Sequence, residues 1–371
     1  MEFTIVDLLI HLSKRQASDL HISVGVPPSI RVHGKLERLS DYPALTPEDT
    51  RGLAFSMMRE DQRKRLEREK EIDFAYAQKG IGRFRTNCFW QKGTVAIAMR
   101  SIPERIPTME ELMMPDVMSD LIKQPRGLVL VTGPTGSGKT TSLAAMLNVI
   151  NENLPGHIIT LEDPIEFVHE HKLCNFNQRE VGVDTLSFGG AIVRCLREDP
   201  DVILVGEMRD LETIGTAITA AETGHLVFAT LHTKSAPATI DRIIDVFPFG
   251  QQDQIRAQLA NALVAVMSQL LHPLAEGNGR IASFEVMINI PAIRNLIREK
   301  KLFQIHSTMM THKKMGMLTM DQSLRDMYFQ RRITLDTAMA AATSPSNLQR
   351  LIAAGPETEG DDEPEVLESG L

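Results

Sequence analysis

Cysteine is scarce in this chain. The three present, Cys88, Cys174 and Cys195, stand far apart and form no C-x-x-C pair, so neither a disulfide framework nor a zinc ribbon is signalled and a reducing compartment fits. No apolar run approaches the length that spans a bilayer, and Met1-Glu2-Phe3-Thr4-Ile5-Val6-Asp7 lacks the basic region and cleavage site of a secretory leader. A cytoplasmic or peripheral protein with no membrane span is expected. Base-stacking aromatics are few, with one Trp and three Tyr, and no basic excess accompanies them. The net charge is −8, and seven acids between Glu357 and Glu368 supply most of it with no basic residue among them, which leaves the body near neutral. A nucleic-acid groove needs clustered cations with interleaved aromatics, so no nucleic-acid partner is expected. The acidic tail, 356–371, has almost nothing to bury and reads as disordered.

What is present begins with Gly133-Pro134-Thr135-Gly136-Ser137-Gly138-Lys139-Thr140. It directly follows the apolar run Leu128-Val129-Leu130-Val131 and precedes the helix-forming Ser142-Leu143-Ala144-Ala145-Met146-Leu147. Backbone N–H groups can wrap a phosphate only where Cβ atoms are absent or small, which accounts for Gly133, Gly136, Ser137 and Gly138. Lys139 supplies charge, the Thr140 hydroxyl suits a Mg²⁺ ligand, and Thr141 continues the first turn of a helix whose positive end faces the anion. ATP with Mg²⁺ is the expected cofactor pair. A Gly-rich turn that binds nothing would not need the Gly-Lys-Thr sequence or the strand and helix flanking it.

With 371 residues and 43% apolar content, the chain exceeds one ordinary core and can build two. Residues 1–100 read as an α+β domain: Ile5, Leu8, Leu9 and Leu12 recur at helical spacing, and short strands follow. Arg59 to Glu71 mixes both charge signs densely, as a solvated helix does. In the strand-like stretch Ile81 to Phe89, Arg83, Arg85 and Asn87 share one face while Phe84, Thr86 and Cys88 share the other. From spacing alone, Arg83 and Arg85 are ordinary surface arginines. Pro103 and Pro107 mark a linker over 101–108. Over 109–355 short apolar strands alternate with helical segments, which points to an α/β domain with a mainly parallel sheet. The stretch Gln251 to Leu271 reads as one long amphipathic helix and Gly277-Asn278-Gly279 as a hairpin tip, with further helices to about Ala354.

In open parallel sheets the ligand lies beyond the carboxyl ends of the strands, so each acid can be judged by the strand end it occupies. Glu162, Asp163 and Glu166 follow the run ending at Leu161 and are candidates for positioning water. Asp199 and Asp201 precede Val202 to Val205, whereas Glu207 follows it through Gly206, so the Mg²⁺ side belongs to Glu207, with helix capping as the bland alternative. His225 and His232 bracket the next strand and are about 23 Å apart along a straight one. His232 is on the correct edge for a γ-phosphate sensor, and His225 reads as structural. His169-Glu170-His171 reads as a turn or strand rather than a ligand pair.

The ordered motif set resembles the secretion ATPases, and most closely the type IV pilus retraction ATPase family, PilT. It comprises Gly133 to Thr140, Ile159-Thr160-Leu161-Glu162-Asp163-Pro164-Ile165-Glu166, Asp199 to Asp210, Gly224 to Thr233, and Ala292-Ile293-Arg294-Asn295-Leu296-Ile297-Arg298-Glu299. The resemblance implies a PAS-like N-terminal domain, a RecA-like ATPase domain and a homohexamer. It also implies Glu166 in water activation, Glu207 at Mg²⁺, and N-terminal arginines reaching the nucleotide, for which Arg83 and Arg85 match the strand and Arg100 is a weaker candidate. The implied output is pilus retraction and twitching motility, driven against an inner-membrane pilus platform protein from the cytoplasmic face of that membrane. A paralogous retraction ATPase is a further implied partner. Extension-type relatives usually carry another N-terminal domain and a four-cysteine metal site, and neither is seen here. Two rivals stay open at this stage, a PilU-like accessory subunit and a RecA-like nucleic-acid translocase.

Overall fold

The computed structural model of the chain describes residues 3–32, 34–102, 105–277 and 279–356. Two compact units divide these residues. The first falls within Met1–Ile106 and takes in Pro164–Val168; the second falls within Pro107–Asp163 and His169–Leu371. The acidic segment from Glu357, the hairpin residue Asn278 and the linker residues Pro103 and Glu104 lie outside the described residues.

Among the described residues, the first unit is built on a six-stranded antiparallel sheet. Helix α1 (Ile5–Lys14) buries Ile5, Leu8, Leu9 and Leu12, the stripe that its spacing predicts, and Thr4 and Asp7 close its start as a capping box. Strands β1 (Asp19–Ile22), β2 (Ser29–Val32) and β3 (Lys35–Arg38) lead into α2 (Pro47–Ser56) and α3 (Glu60–Glu69). Then come β4 (Glu71–Gln78), β5 (Gly82–Gln91) and β6 (Thr94–Ile102), giving the spatial order β3-β2-β1-β6-β5-β4. Helix α3 is the solvated element that its charges predict: Lys64 pairs with Glu60 and Arg65 with Glu69, each one turn apart at 2.7 Å, and Leu66 is its buried residue. Strand β5 alternates as expected. Phe84, Thr86 and Cys88 are buried, Arg85 is exposed and Arg83 half-buried, and burial pushes the Cys88 thiol up to about 12.

In the second unit, α4 (Met118–Leu121) precedes β7 (Gly127–Thr132), α5 (Lys139–Asn153), β8 (Gly156–Glu162) and β9 (Cys174–Glu180). The alternation continues with α6 (Phe188–Cys195), β10 (Val202–Val205), α7 (Leu211–Glu222), β11 (Leu226–Leu231), α8 (Ala236–Asp245) and α9 (Phe249–Ala262). Strands β12 (Leu263–Pro273) and β13 (Arg280–Ile288) form a hairpin, followed by α10 (Pro291–Arg298). Helix α11 (Ile305–Thr311) packs beside α10, and a helical module then packs α12 (Met320–Phe329), α13 (Leu335–Ala341) and α14 (Pro345–Ala353). The sheet runs β13-β12-β7-β11-β10-β8-β9 and is parallel from β12 to β9. Every residue of β7, β10 and β11 is buried, because helices cover both faces, and this is why these strands read as unbroken apolar runs. One core layer gathers Ile192, Ile214, Ile240, Leu259 and Ile293 against the sheet; the other gathers Met118, Leu143, Leu147 and Ile150.

One expectation needs correction. The segment from Gln251 to Leu271 is not one helix, since α9 stops at Ala262 and β12 begins at Leu263. The apolar run Leu263-Val264-Ala265-Val266-Met267 bonds to β7 on one side and β13 on the other, and this doubly paired site outweighs the helical periodicity. Edge strand β9, which alternates buried Cys174 and Phe176 with exposed Asn175 and Asn177, is an addition that the apolar runs did not announce.

His169 stacks on Phe176 with ring centroids 4.1 Å apart, and burial holds its pKa down to about 4 from 6.5. Folded His169 therefore stays neutral where the unfolded chain takes up a proton, so stability is full at and above pH 6.5 and falls as the pH drops toward 4. Denaturant midpoints measured at pH 7 and pH 5 should drop less in His169→Phe than in the parent; equal drops would contradict this.

Candidate nucleotide site

The phosphate loop joins β7 to α5, and its glycines are required by the backbone. Gly133, Gly136 and Gly138 have φ of +145°, +79° and +91°. A Cβ on Gly133 would lie 2.2 Å from the Gln269 carbonyl oxygen and 2.6 Å from Ser137 Oγ, so a side chain cannot enter where β12 backs the loop. Gly138 caps α5 in the left-handed conformation, which brings Lys139, Thr140 and Thr141 onto its first turn. Lys139 is 8% exposed, and its Nζ donates to the carbonyls of Gly133 at 2.8 Å and Pro134 at 3.1 Å, folding the ammonium back over the loop. Thr135 and Gly136 are exposed and Pro134 is half-buried. Ser137 Oγ is buried without a hydrogen-bond partner among the described residues.

Sequence reasoning missed the support behind this loop. Gln269 Oε1 accepts from Ser142 Oγ at 2.8 Å, and Ser268 and Thr132 share a hydroxyl bond of 2.8 Å between β12 and β7. Both contacts rest on side chains far apart in sequence, and the helical reading of the stretch up to Leu271 hid them.

At the carboxyl ends of the neighbouring strands, the acids separate by environment. Glu162 is 7% exposed and accepts from Thr160 Oγ1 at 2.6 Å and Gln178 Nε2 at 3.0 Å. It braces β8 against β9, which corrects its standing as a candidate for positioning water. Asp163 is exposed. Glu166 is half-buried and lies in Pro164–Val168, the segment that falls with the first unit. Asp201 occupies the opposite strand end, where its Oδ2 accepts from His157 N at 2.8 Å.

Glu207 follows β10 through Gly206, whose N–H donates to Leu161 O at 2.8 Å. Its Oε2 accepts from Arg209 at 2.6 Å and its Oε1 meets His232 Nε2 at 3.0 Å. These contacts, the Arg209 hydrogen bond foremost, hold the Glu207 carboxyl below the usual carboxylate range despite its partial burial. The structure thus brings together Glu207 and His232, which the strand-edge rule assigned to one side, and adds Arg209, which no motif had singled out. His225 lies at the other end of β11 and its Nδ1 contacts Ala220 O at 3.0 Å, a structural tie. In the first unit, Arg85 is opposite Arg100 across β5 and β6, and Arg100 donates to Asp19 Oδ1 at 2.9 Å. His171 Nδ1 accepts from Phe176 N at 2.9 Å, and no group of three metal-ligating side chains occurs among the described residues.

A mainly parallel sheet in which an interior strand delivers a phosphate loop, flanked by a strand-end carboxylate and histidine, defines a RecA-like P-loop nucleotide-binding protein. A family model described as Type II/IV secretion system protein matches residues 4–343. The type IV pilus retraction ATPase PilT of Pseudomonas aeruginosa is 50% identical over 343 residues, 92% of this chain and 99% of that protein. The type IV pilus ATPase PilU of the same organism is 42% identical, over 97% of this chain and 94% of its own. A crystal structure of the pilus retraction motor PilT with bound ADP superposes with a TM-score of 0.89 at 50% identity, covering 94% of this chain and 100% of that one. The chain belongs to the type II/IV secretion ATPase family, in its PilT branch.

Two of the loop glycines separate two costs. Gly136 has open space around a Cβ, whereas Gly133 meets backbone, so Gly133→Ala should cost about 1–3 kcal/mol more stability and abolish tight ADP binding. Denaturant titration and ADP titration of Gly133→Ala beside Gly136→Ala check this, and equal losses would contradict it.

Proposed function

We propose that this chain is a Mg²⁺-dependent ATPase motor that drives type IV pilus retraction. The observation that carries the reading is the phosphate cradle of Gly133 to Thr140 at the same sheet edge as the Glu207–His232 pair, in a chain half identical to a retraction motor solved with ADP. The loop fits a triphosphate: Gly133 leaves room only for backbone N–H groups, Ser137 Oγ is a buried polar group without a partner among the described residues, and α5 directs its positive end at the same space. Thr140 and Glu207 would hold Mg²⁺, which when bound neutralises charge on the phosphates. Lys139 exchanges its carbonyl partners for phosphate oxygens, and His232 keeps Glu207 oriented. Glu166 positions and activates the attacking water. Arg83 and Arg85, donated by an adjacent copy, offset the charge of the transition state, an effect of about 10³ to 10⁵ in rate for such arginines.

A contact that completes each site from a neighbour is head-to-tail and closes as a ring, here a homohexamer. The domains assigned at 1–100 and 109–355 then move against each other about the 101–108 linker as nucleotide turns over. The platform protein at the cytoplasmic face of the inner membrane receives that motion. No helix among the described residues is long and apolar enough to cross a membrane. The 42% identity to PilU supports a second reading, an accessory ATPase that works through a paralogous ring. ATP turnover by the isolated protein separates the two.

Lys139→Ala should lose tight nucleotide binding. Glu166→Gln should bind ATP but turn over about 10²-fold or more slowly, and parental turnover would overturn its assignment. Deleting the gene should give excess pili without twitching; loss of pili would point to extension instead.

A further inference from the structure

The sheet edge opposite the phosphate loop holds a cavity of about 460 Å³ among the residues before β7, the end of α7, the start of β12 and the turn from β13 into α10. Its polar lining includes Arg126, Glu222, Asn289 and Arg294. Asn289 is 6% exposed. Its Nδ2 donates to Ala260 O at 2.9 Å and Leu263 O at 2.7 Å, which fixes the amide orientation and leaves Oδ1 as the other pole. That Oδ1 is buried and has no hydrogen-bond partner among the described residues, and the same is true of the Arg294 Nε. Leaving a buried polar group unmatched costs about 1–3 kcal/mol, and both residues line this one cavity, so a ligand that reaches these atoms offsets that cost.

The chemistry of the wall narrows the ligand. Two arginines, the exposed Arg126 and the half-buried Arg294, share the lining with one carboxylate, and Glu222 already accepts from Gln258 Nε2 at 3.0 Å. Guanidinium groups favour oxyanions, phosphate above all. The Asn289 oxygen demands a donor, which a bare carboxylate lacks and a hydroxyl supplies. The cavity also has room for more than a phosphate group alone. We propose that it binds a phosphate monoester or diester carried on a polyol, with the phosphate oxygens on Arg294 and Arg126 and a hydroxyl donating to Asn289 Oδ1. This site is distinct from the nucleotide site: β7 starts at its wall with Gly127, and the strand's six residues extend about 20 Å before the phosphate loop begins. Gly127 belongs to that wall because a Cβ there would lie 2.3 Å from Val264 Cγ2.

A free polyol phosphate and a phosphatidylglycerol headgroup share this chemistry, and one experiment distinguishes them. The full chain, saturated with Mg-ADP to occupy the phosphate loop, is titrated calorimetrically with glycerol 1-phosphate. It is then sedimented with phosphatidylglycerol vesicles and with phosphatidylcholine vesicles, alongside Arg294→Gln and Arg126→Gln. Removing a charged hydrogen bond should weaken binding roughly tenfold or more. Glycerol 1-phosphate binding that both variants weaken supports the site with a soluble ligand. Selective sedimentation with phosphatidylglycerol that both variants lose supports it with a lipid headgroup. Absence of binding to either probe, or binding that neither substitution changes, overturns the proposal; Arg126→Gln, at an exposed position, guards against a folding artefact.

Discussion

Everything at the nucleotide site depends on how closely β12 approaches the start of the phosphate loop. Backbone N–H groups can converge on an anion only if the chain turns without a Cβ in the way, and the Gln269 carbonyl stands 2.2 Å from where a Gly133 Cβ would be. That contact exists because β12 is hydrogen-bonded beside β7 in parallel, in register from Ala265 to Ser268 after an irregularity between Leu263 and Ala265. The same parallel order brings His232 after β11 and Glu207 after β10 to a common edge, so the sheet topology sets the site before any side chain is chosen. Gln269 and Ser268 then fasten the loop's two flanks, Ser142 and Thr132, from behind.

Much of this was legible in the sequence because it is local. The loop glycines, the buried runs of β7, β10 and β11, and the strand end on which each acid falls follow from short-range pattern and period. The alternation in β5 was equally readable, with Phe84 and Cys88 inward and Arg85 outward. What stayed hidden is non-local. Gln269 was lost in a stretch with helical periodicity, and only its pairing with strands on both sides reveals it as β. Glu162 had the right strand end but is taken up by Thr160 and Gln178, and a partner 16 residues away leaves no trace in a motif. Arg209 was overlooked because its neighbour Glu207 accounted for the motif by itself.

The Glu207, Arg209 and His232 cluster has a consequence for control. Both carboxylate oxygens are engaged, one by a guanidinium and one by an imidazole, so the group proposed for Mg²⁺ is held charged and oriented before nucleotide arrives. Preorganised charge of this kind lowers the reorganisation needed during reaction. The remaining need is positive charge on the far side of the phosphates, because Lys139 is the loop's own cation and is folded onto loop carbonyls. On the reading proposed here, Arg83 and Arg85 of another copy meet that need, which ties turnover to assembly.

Turnover as a function of assembly is therefore the most direct measurement. ATP hydrolysis per subunit, followed by analytical ultracentrifugation and phosphate release across the same dilution series, should rise steeply as rings form and be nearly absent in the monomer. A monomer fraction that hydrolyses ATP at the ring's rate per subunit would contradict the account.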